Sequence, residues 1–82
     1  MTLIYYGRPN CALCDEGKQI VRLVQEDVDI EVIYRNIEDN DIWHEQFLLM
    51  IPVIEYQNEI IMFGHIDYVD LLTQLTEAEQ RK

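Results

Sequence analysis

The chain has 82 residues, of which 49% are hydrophobic and 27% charged, a balance typical of globular proteins that predicts one domain over residues 1–82. Sixteen acidic residues against six basic ones give a formal net charge of −10, which argues against binding to nucleic acid or to an anionic membrane surface. No apolar run approaches the roughly 20 residues that span a bilayer, and no signal-peptide pattern opens the chain, so we expect a cytoplasmic protein.

The first part of the chain predicts a strand, a helix and a second strand. Leu3–Tyr6 is rich in β-forming residues and ends at the loop sequence Gly7-Arg8-Pro9-Asn10. Ile30–Tyr34 alternates apolar and polar residues, which favours another strand. Between them, apolar residues at helical spacing predict a helix of about three turns; its buried face would contain Leu13, Ile20, Val21, Val24 and Val28. This βαβ unit makes the two strands parallel.

The middle of the chain predicts a short helix and a β-hairpin. Asn36–Asp41 is turn-like, and Asn40 or Asp41 can cap a helix that directs Ile42, Trp43 and Phe47 toward the core. Pro52–Tyr56 and Ile60–Phe63 are predicted strands, joined by a tight turn at residues 57–59. The large aromatic side chains are interpreted as core residues rather than as a ligand platform: Tyr5, Trp43, Phe47 and Tyr56.

The end of the chain predicts a final helix. Gly64 breaks the preceding strand, Asp67 can cap the helix, and one helical face carries Tyr68, Leu71, Leu72 and Leu75. The tail 77–82 is predicted to fray. The complete order is βαβαββα, which predicts an α/β fold with a four-stranded mixed sheet flanked by helices.

Cys11 and Cys14 form a C-x-x-C motif at a junction between strand and helix, the context in which this spacing indicates redox chemistry. Cys11 would lie at the helix N-terminus, where free backbone N–H groups and the helix dipole favour a thiolate. Arg8 can add positive charge there, or it can be a solvated loop charge. We therefore predict that Cys11 is the nucleophile and that Cys14, one turn into the helix, is the resolving thiol.

Residues 6–14, Tyr-Gly-Arg-Pro-Asn-Cys-Ala-Leu-Cys, resemble the Tyr-x-Lys/Arg-x-x-Cys-x-x-Cys segment of the glutaredoxin family. The chain particularly resembles the short glutaredoxin-like proteins, which have Arg/Lys-Pro-x-Cys-x-x-Cys-Asp/Glu and Ile/Val-Pro-Val segments. These correspond to residues 8–15 and to Ile51-Pro52-Val53, where Pro52 resembles the family's cis-proline. Gly64 resembles the family's glycine before the last helix. The resemblance implies a thioredoxin-like fold, a cis Pro52 close to Cys11, and a substrate- or glutathione-binding surface made by Tyr6, Ile51, Pro52, Gly64 and His65.

The resemblance implies a thiol–disulfide oxidoreductase that reduces protein disulfides or glutathione mixed disulfides and carries no bound cofactor or metal. Glutathione, as a co-substrate, or a thioredoxin-reductase-like flavoprotein would supply the electrons. Three of the family's glutathione-binding positions differ here: Ile51 replaces a Thr, Phe63 a Gly and Ile66 an Asp. Glutathione use therefore stays open, and a monomer is the expected state.

Three alternatives remain at this point. The fold can serve as a redox-inactive binding module, either a protein adaptor or a metal carrier. The cysteines can be inert buried thiols. They can also bind zinc together with His44 and His65, although these histidines lack the usual zinc-finger spacing.

Overall fold

A computed structural model describes residues 1–80 and contains the predicted βαβαββα order, with one short 3-10 helix in addition. The α/β fold class is therefore confirmed. In chain order the elements are β1 (Thr2–Gly7), α1 (Ala12–Asp27), β2 (Glu31–Asn36), the 3-10 helix (Ile37–Asp39), α2 (Asp41–Phe47), β3 (Val53–Tyr56), β4 (Glu59–Phe63) and α3 (Tyr68–Gln80).

The four strands form one mixed sheet in the order β2-β1-β3-β4. β1 and β2 run parallel, from the pair Thr2 and Glu31 to the pair Gly7 and Asn36, as the predicted βαβ unit requires. β3 is antiparallel to both β1 and β4. The hairpin turn consists of Gln57 and Asn58, both with positive φ, and Glu59 already belongs to β4. The predicted turn is thus one residue too long.

Helices cover both faces of the sheet, because alternate strand residues point to opposite sides. We call the side under α1 and α3 the first face; its buried core consists of Leu3, Tyr5, Val21, Val24, Ile30, Ile54, Met62, Ile66, Leu71 and Leu75. The side under α2 is the second face, with a smaller buried core of Tyr6, Ile37, Phe47 and Val53. Of the aromatic residues predicted for the core, Tyr5 and Phe47 are buried, whereas Trp43 and Tyr56 are half-buried at its margins.

Helix α1 is longer than the predicted three turns, with 16 residues. Its buried stripe consists of Cys14, Gly17, Val21 and Val24, which recur every three or four residues. Leu13 lies one position off this stripe and is 47% exposed, so its predicted place in the core is wrong. Neither Cys14 nor Gly17 was predicted on this face, because neither counts as strongly apolar in the pattern.

Helix α2 begins where predicted, since the Asn40 side chain accepts hydrogen bonds from the N–H groups of Ile42 and Trp43, at 2.9 and 3.2 Å. Phe47 is buried as predicted, with Trp43 one turn before it on the same side. Ile42 is 66% exposed, so its predicted core position is wrong: it is offset by one residue from the face that Trp43 and Phe47 share. Residues 37–39, predicted as a turn, form the 3-10 helix. The Asn36 side chain caps it by accepting a hydrogen bond from the Glu38 N–H at 2.9 Å, and Ile37 is fully buried.

Helix α3 is capped by Asp67, whose carboxylate accepts a hydrogen bond from the Asp70 N–H at 2.9 Å. The helix continues to Gln80, and the predicted fraying of residues 77–80 stays a prediction. Leu75 is fully buried and Ala78 half-buried, which keeps the last turns packed on the sheet. Residues 81 and 82 of the predicted tail lie outside the described residues. Within residues 1–80, no helix has the length and apolarity needed to cross a bilayer.

Candidate active site

The cysteine pair lies where the loop after β1 enters α1. Asn10 has a positive φ of 57°, and Cys11 is extended and caps the helix. Cys11 and Cys14 are joined by a disulfide, with their Cα atoms 5.2 Å apart. One helical turn separates the two residues, a spacing that brings their sulfurs together. The predicted C-x-x-C pair is therefore assembled, and the structure shows it in the oxidised state.

The two cysteines are unequally exposed. Cys14 is only 1% exposed, whereas Cys11 is half-buried and lies at the open end of the helix. The Cys14 N–H donates a hydrogen bond to Cys11 Sγ at 3.2 Å. A backbone N–H at this position also stabilises a negative charge on that sulfur once the disulfide is reduced. The arrangement can provide an accessible attacking thiolate with a second thiol buried behind it.

Two residues of β1 support Cys14 from the first face of the sheet. A Cβ atom added at Gly7 would lie 3.3 Å from Cys14 Sγ, so the strand backbone passes close beneath the sulfur. The Tyr5 hydroxyl donates a hydrogen bond to the Cys14 carbonyl at 2.7 Å. Burial raises the pKa of Tyr5, with smaller contributions from Tyr34 and Asp15, so this hydroxyl stays protonated and remains a donor. This hydrogen bond to Cys14 was not predicted from the sequence. The apolar pattern places Tyr5 in the core but does not identify the group that accepts from its hydroxyl.

Pro52 lies beside the same helix. The Ile51–Pro52 peptide bond is cis, as the resemblance implied. Tyr6 pairs with Val53, so Gly7 and Pro52 each lie one residue beyond that pair. A Cβ atom added at Gly17 would lie 3.3 Å from Pro52 Cγ, which places the proline ring against the second turn of α1. Gly17, a glycine inside a predicted helix, is the sequence signal that could have indicated the close approach of α1 to Pro52.

Gly64 and His65, both predicted site residues, lie near Pro52 and the first turns of α1. Gly64 has a positive φ of 76°, and its N–H donates to the carbonyls of Met50 and Pro52, at 3.0 and 2.8 Å. These bonds bring the loop between β4 and α3 beside the proline. His65 is exposed and lines a groove of about 220 Å³ with Leu13 and Ile66. A binding role for either residue stays a prediction.

The other three predicted site residues, Ile51, Tyr6 and Arg8, differ in their surroundings. Ile51 is half-buried and packs on the second-face core, and Arg8 is exposed on the loop that leads into Cys11. Tyr6 is buried on the second face, with its ring centroid 4.5 Å from that of Phe47. It therefore lies on the opposite face of the sheet from Tyr5 and Gly7, which contact Cys14. The structure does not bring Tyr6 to the pair, and the roles predicted for these three residues stay predictions.

The zinc alternative required both cysteines together with His44 and His65. Across the described residues 1–80, no three side chains of the types His, Cys, Asp and Glu come close enough to hold a metal ion. The two cysteines are instead bonded to each other. The Cys2His2 set is therefore not assembled in this part of the chain.

Comparison with known proteins bears on the family and the fold of the chain. The family model of the Glutaredoxin-like domain (DUF836) matches residues 2–76. A structural genomics target protein from X. campestris is 20% identical, with 92% of this chain and 96% of that one covered and a TM-score of 0.77. Thioredoxin-2 of the malaria parasite is 13% identical, with 93% and 81% covered and a TM-score of 0.71. Thioredoxin 1 from Thermosipho africanus is 15% identical over 100% of both chains, with a TM-score of 0.63. At these identities the structures show a shared thioredoxin-like fold.

Proposed function

The chain belongs to the glutaredoxin-like domain family, and we propose that it is a thiol–disulfide oxidoreductase that reduces disulfides in protein substrates through Cys11 and Cys14. One observation carries the proposal: the two cysteines of the pair are bonded across the first turn of α1, with Cys11 accessible and Cys14 buried. This arrangement assigns a different step to each sulfur. The reducing cytoplasm is the compartment where such a pair would work as a reductant.

The first step is attack by Cys11. In the reduced protein the Cys11 thiolate attacks one sulfur of the substrate disulfide, which forms a mixed disulfide with Cys11. The other substrate sulfur leaves as a thiolate and takes up a proton from solvent. The N-terminal turn of α1 favours the attacking thiolate, because the Cys14 N–H points at Cys11 Sγ.

The second step is resolution by Cys14. The Cys14 thiol loses its proton and attacks Cys11 Sγ, which breaks the mixed disulfide and releases the second substrate thiol. The product is the Cys11–Cys14 disulfide, the state of the pair in this structure. The substrate has gained two electrons and two protons. An external thiol or flavoprotein must return two electrons to the pair before the next cycle.

The identity of that reductant is part of the proposal. Ile66, which stands where the glutathione-binding relatives have an Asp, is buried in the first-face core and offers no polar contact to a ligand. Phe63, which replaces a Gly, is exposed. These two positions favour a thioredoxin-reductase-like flavoprotein over glutathione as the electron donor.

A turnover assay tests the proposal. A protein disulfide such as that of insulin would be reduced in two separate reactions, one with glutathione and its reductase and one with thioredoxin reductase. We expect turnover in at least one reaction, and faster turnover with the flavoprotein. No turnover with either donor would contradict the proposal and favour the redox-inactive binding module.

Cysteine variants test the assignment of the two sulfurs. Cys11→Ser is expected to abolish reduction, because no accessible thiolate remains. Cys14→Ser is expected to stop at the mixed disulfide, which mass spectrometry detects as an adduct on Cys11. In the Cys14→Ser protein, alkylation of Cys11 should follow a pKa below the ordinary value of about 8.5. Activity that survives Cys11→Ser, or an adduct on Cys14, would reverse the assignment.

A further inference from the structure

The two edges of the sheet differ in how they are protected. β2 and β4 are the edge strands, because the sheet order is β2-β1-β3-β4. Where β4 pairs with β3, the register shifts between Ile54 and Glu55, an irregularity of the kind that twists an edge strand away from other strands. β2 has no such shift, since residues 31–36 pair in unbroken parallel register with β1. Among the described residues 1–80, no backbone hydrogen bond joins residues 32–36 to an element other than β1.

Both faces of β2 carry a large exposed side chain. Ile33 pairs with Ile4 and lies on the second face, whereas Tyr34 pairs with Tyr5 and lies on the first face. Ile33 is 46% exposed and Tyr34 45% exposed. The strand also contains no proline and no lysine, the residues that commonly block an exposed edge. β2 is therefore an edge that can accept another strand.

The sequence of β2 is complementary to itself when two copies run antiparallel. If Ile33 faces Ile33 of a second copy on a twofold axis, Glu31 faces Arg35 and Val32 faces Tyr34. Each of these contacts occurs twice because of the symmetry. Directly opposed side chains share a face, with Cβ atoms about 4.5–5.5 Å apart, and opposite charges and pairs of an aromatic with a β-branched residue stabilise such sheets.

The contacts of Arg35 within its own chain leave its charge available. The guanidinium lies 4.8 Å from the centroid of the Trp43 ring and donates a hydrogen bond from Nη1 to the Tyr6 hydroxyl at 3.1 Å. These contacts orient a cation without neutralising it. A guanidinium has five N–H donors, so Arg35 retains donors for a carboxylate. Glu31, at the other end of the strand, is exposed and can supply that carboxylate.

We propose that the protein forms a dimer with a second copy of itself, in which the two β2 strands pair antiparallel around a twofold axis at Ile33. The two sheets then join into one sheet of eight strands, four from each copy. This state differs from the monomer expected from the sequence. It rests on the pairing edge alone and does not depend on the chemistry of the cysteines.

The proposed dimer leaves both cysteine pairs open. β1 lies between β2 and β3, so the pairing edge is separated from Pro52, which precedes β3. Antiparallel β2 strands also make the two β1 strands antiparallel, because β1 and β2 are parallel within each copy. Each cysteine pair follows the end of its own β1. The two pairs therefore lie toward opposite ends of the dimer.

The net charge of −10 opposes association of two copies, but the pairing edge does not share it. Within β2 the charges of Glu31 and Arg35 cancel, and Lys18 Nζ lies 5.5 Å from the centroid of the Tyr34 ring beside the same edge. At physiological ionic strength, salt screens the more distant acidic surfaces over about 8 Å. We therefore expect a reversible dimer whose population rises with protein concentration.

Cross-linking at matched positions tests which edge pairs. Ile33→Cys and Ile60→Cys would each be made in a protein with Cys11→Ser and Cys14→Ser. The two isoleucines lie on the two edge strands, in β2 and β4, and are 46% and 45% exposed. A short bis-maleimide should link Ile33→Cys chains at least tenfold more than Ile60→Cys chains, after circular dichroism has shown that both are folded. Equal yields would overturn the proposal.

Charge variants test the register by sedimentation velocity. Glu31→Arg alone and Arg35→Glu alone would each place like charges opposite one another and should weaken the dimer at least tenfold. An equal mixture of the two variants should form a heterodimer, because every Arg then faces a Glu. Glu59→Arg is the matched control, since it makes the same charge change on β4, and it should not weaken the dimer. A mixture that stays monomeric would refute this register.

Wild-type protein separates this inference from the proposed function. Sedimentation from about 10 μM to about 1 mM should show the dimer increasing, and turnover by Glu31→Arg should match wild type. A dimer that reduces no disulfide would support the pairing edge and contradict the oxidoreductase. A protein that reduces disulfides and stays monomeric up to about 1 mM would overturn the dimer and leave the oxidoreductase intact.

Discussion

Tyr5 and Tyr6 are neighbours in β1, yet they serve different parts of the molecule. Tyr5 points into the first face and bonds through its hydroxyl to the carbonyl of Cys14. Tyr6 points into the second face, where its hydroxyl accepts a hydrogen bond from Arg35 and donates to Glu55 at 3.4 Å. Both rings are buried. Only the first of the two connects the core directly to the cysteine pair.

This difference extends to the two faces as wholes. On the first face, Gly7, Gly17 and Pro52 pack closely around the start of α1. The surroundings of the cysteine pair are therefore continuous with the first-face core. On the second face, no hydrogen bond found within residues 1–80 joins the buried core under α2 to Cys11 or Cys14. Changes on the first face should therefore alter both stability and thiol chemistry, whereas changes on the second face should alter stability alone.

The largest expected effect is that of Gly17→Ala. An exposed glycine in a helix gains about 1 kcal/mol on replacement by alanine. Here the new Cβ would overlap the Tyr5 hydroxyl and would lie 3.0 Å from Ile66 Cγ1. We expect the overpacking to lower the free energy of unfolding by about 3 kcal/mol, measured by urea denaturation, and to slow disulfide reduction. A stabilised variant would show that the first face is loosely packed.

Two further variants control this prediction. Adding Tyr5→Phe to Gly17→Ala removes the overlapping hydroxyl, so the double variant should be more stable than Gly17→Ala alone. Gly64→Ala tests backbone conformation instead of packing. A Cβ added at Gly64 would have no atom within 4 Å, but its φ of 76° is strained for any residue with a side chain. Its cost should be about 1 to 2 kcal/mol, from backbone strain alone.

Much of the first face could be predicted from sequence, whereas its connection to the site could not. Apolar spacing placed Val21 and Val24 correctly, and the cysteine spacing placed the redox pair. Leu13 was misplaced because its position depends on which stripe of α1 meets the sheet, and a Cys and a Gly complete that stripe. The bond from Tyr5 to Cys14 depends on how far α1 lies above β1, a tertiary distance that no local pattern contains.

The surroundings of Lys18 and Arg35 could not be predicted for a related reason. Lys18 Nζ lies over the Tyr34 ring on the first face, whereas the Arg35 guanidinium lies over the Trp43 ring on the second face, although Tyr34 and Arg35 are neighbours in β2. Counting charges gave the net value of −10 but not the face of the sheet on which each cation lies. In the same way, Trp43 could be assigned to α2, but its contact with Arg35 required the second face to be assembled.

A smaller effect is expected from Tyr5→Phe, and it depends on pH. The buried hydrogen bond to Cys14 should contribute about 1 kcal/mol at neutral pH. Burial raises the pKa of Tyr5, so above pH 10 the unfolded chain ionises this group while the folded protein does not. Stability due to Tyr5 is thus complete below about pH 10 and declines by up to 1.4 kcal/mol per pH unit above it. Urea denaturation from pH 7 to 11 should show the wild-type advantage disappearing near the top of this range.

Other tyrosines do not obscure this comparison. The pKa of Tyr68 is also raised, first because its hydroxyl donates a hydrogen bond to Asp27, but Tyr68 is the same in both proteins. The difference in stability between wild type and Tyr5→Phe therefore isolates Tyr5. A constant difference across the whole range would mean that the Tyr5 hydroxyl ionises in the folded state as it does in the unfolded chain.

The smallest expected effect is that of Tyr6→Phe, and it tests the comparison most directly. The Tyr6 hydroxyl bonds to Arg35 and Glu55 in a partly solvated region, where water can replace it, so the loss should be about 0.5 kcal/mol. Because the second face lacks a bond to Cys14, the pKa of Cys11 measured by alkylation should match that of wild type. Tyr5→Phe removes a hydrogen bond to Cys14 and should therefore change that pKa. An equal change in Tyr6→Phe would show that the two faces are coupled through β1 itself. If Tyr5→Phe and Tyr6→Phe lost the same stability but gave different Cys11 pKa values, the difference between the two faces would be upheld. The free energy that a hydrogen bond contributes and its effect on the cysteine pair are separate properties.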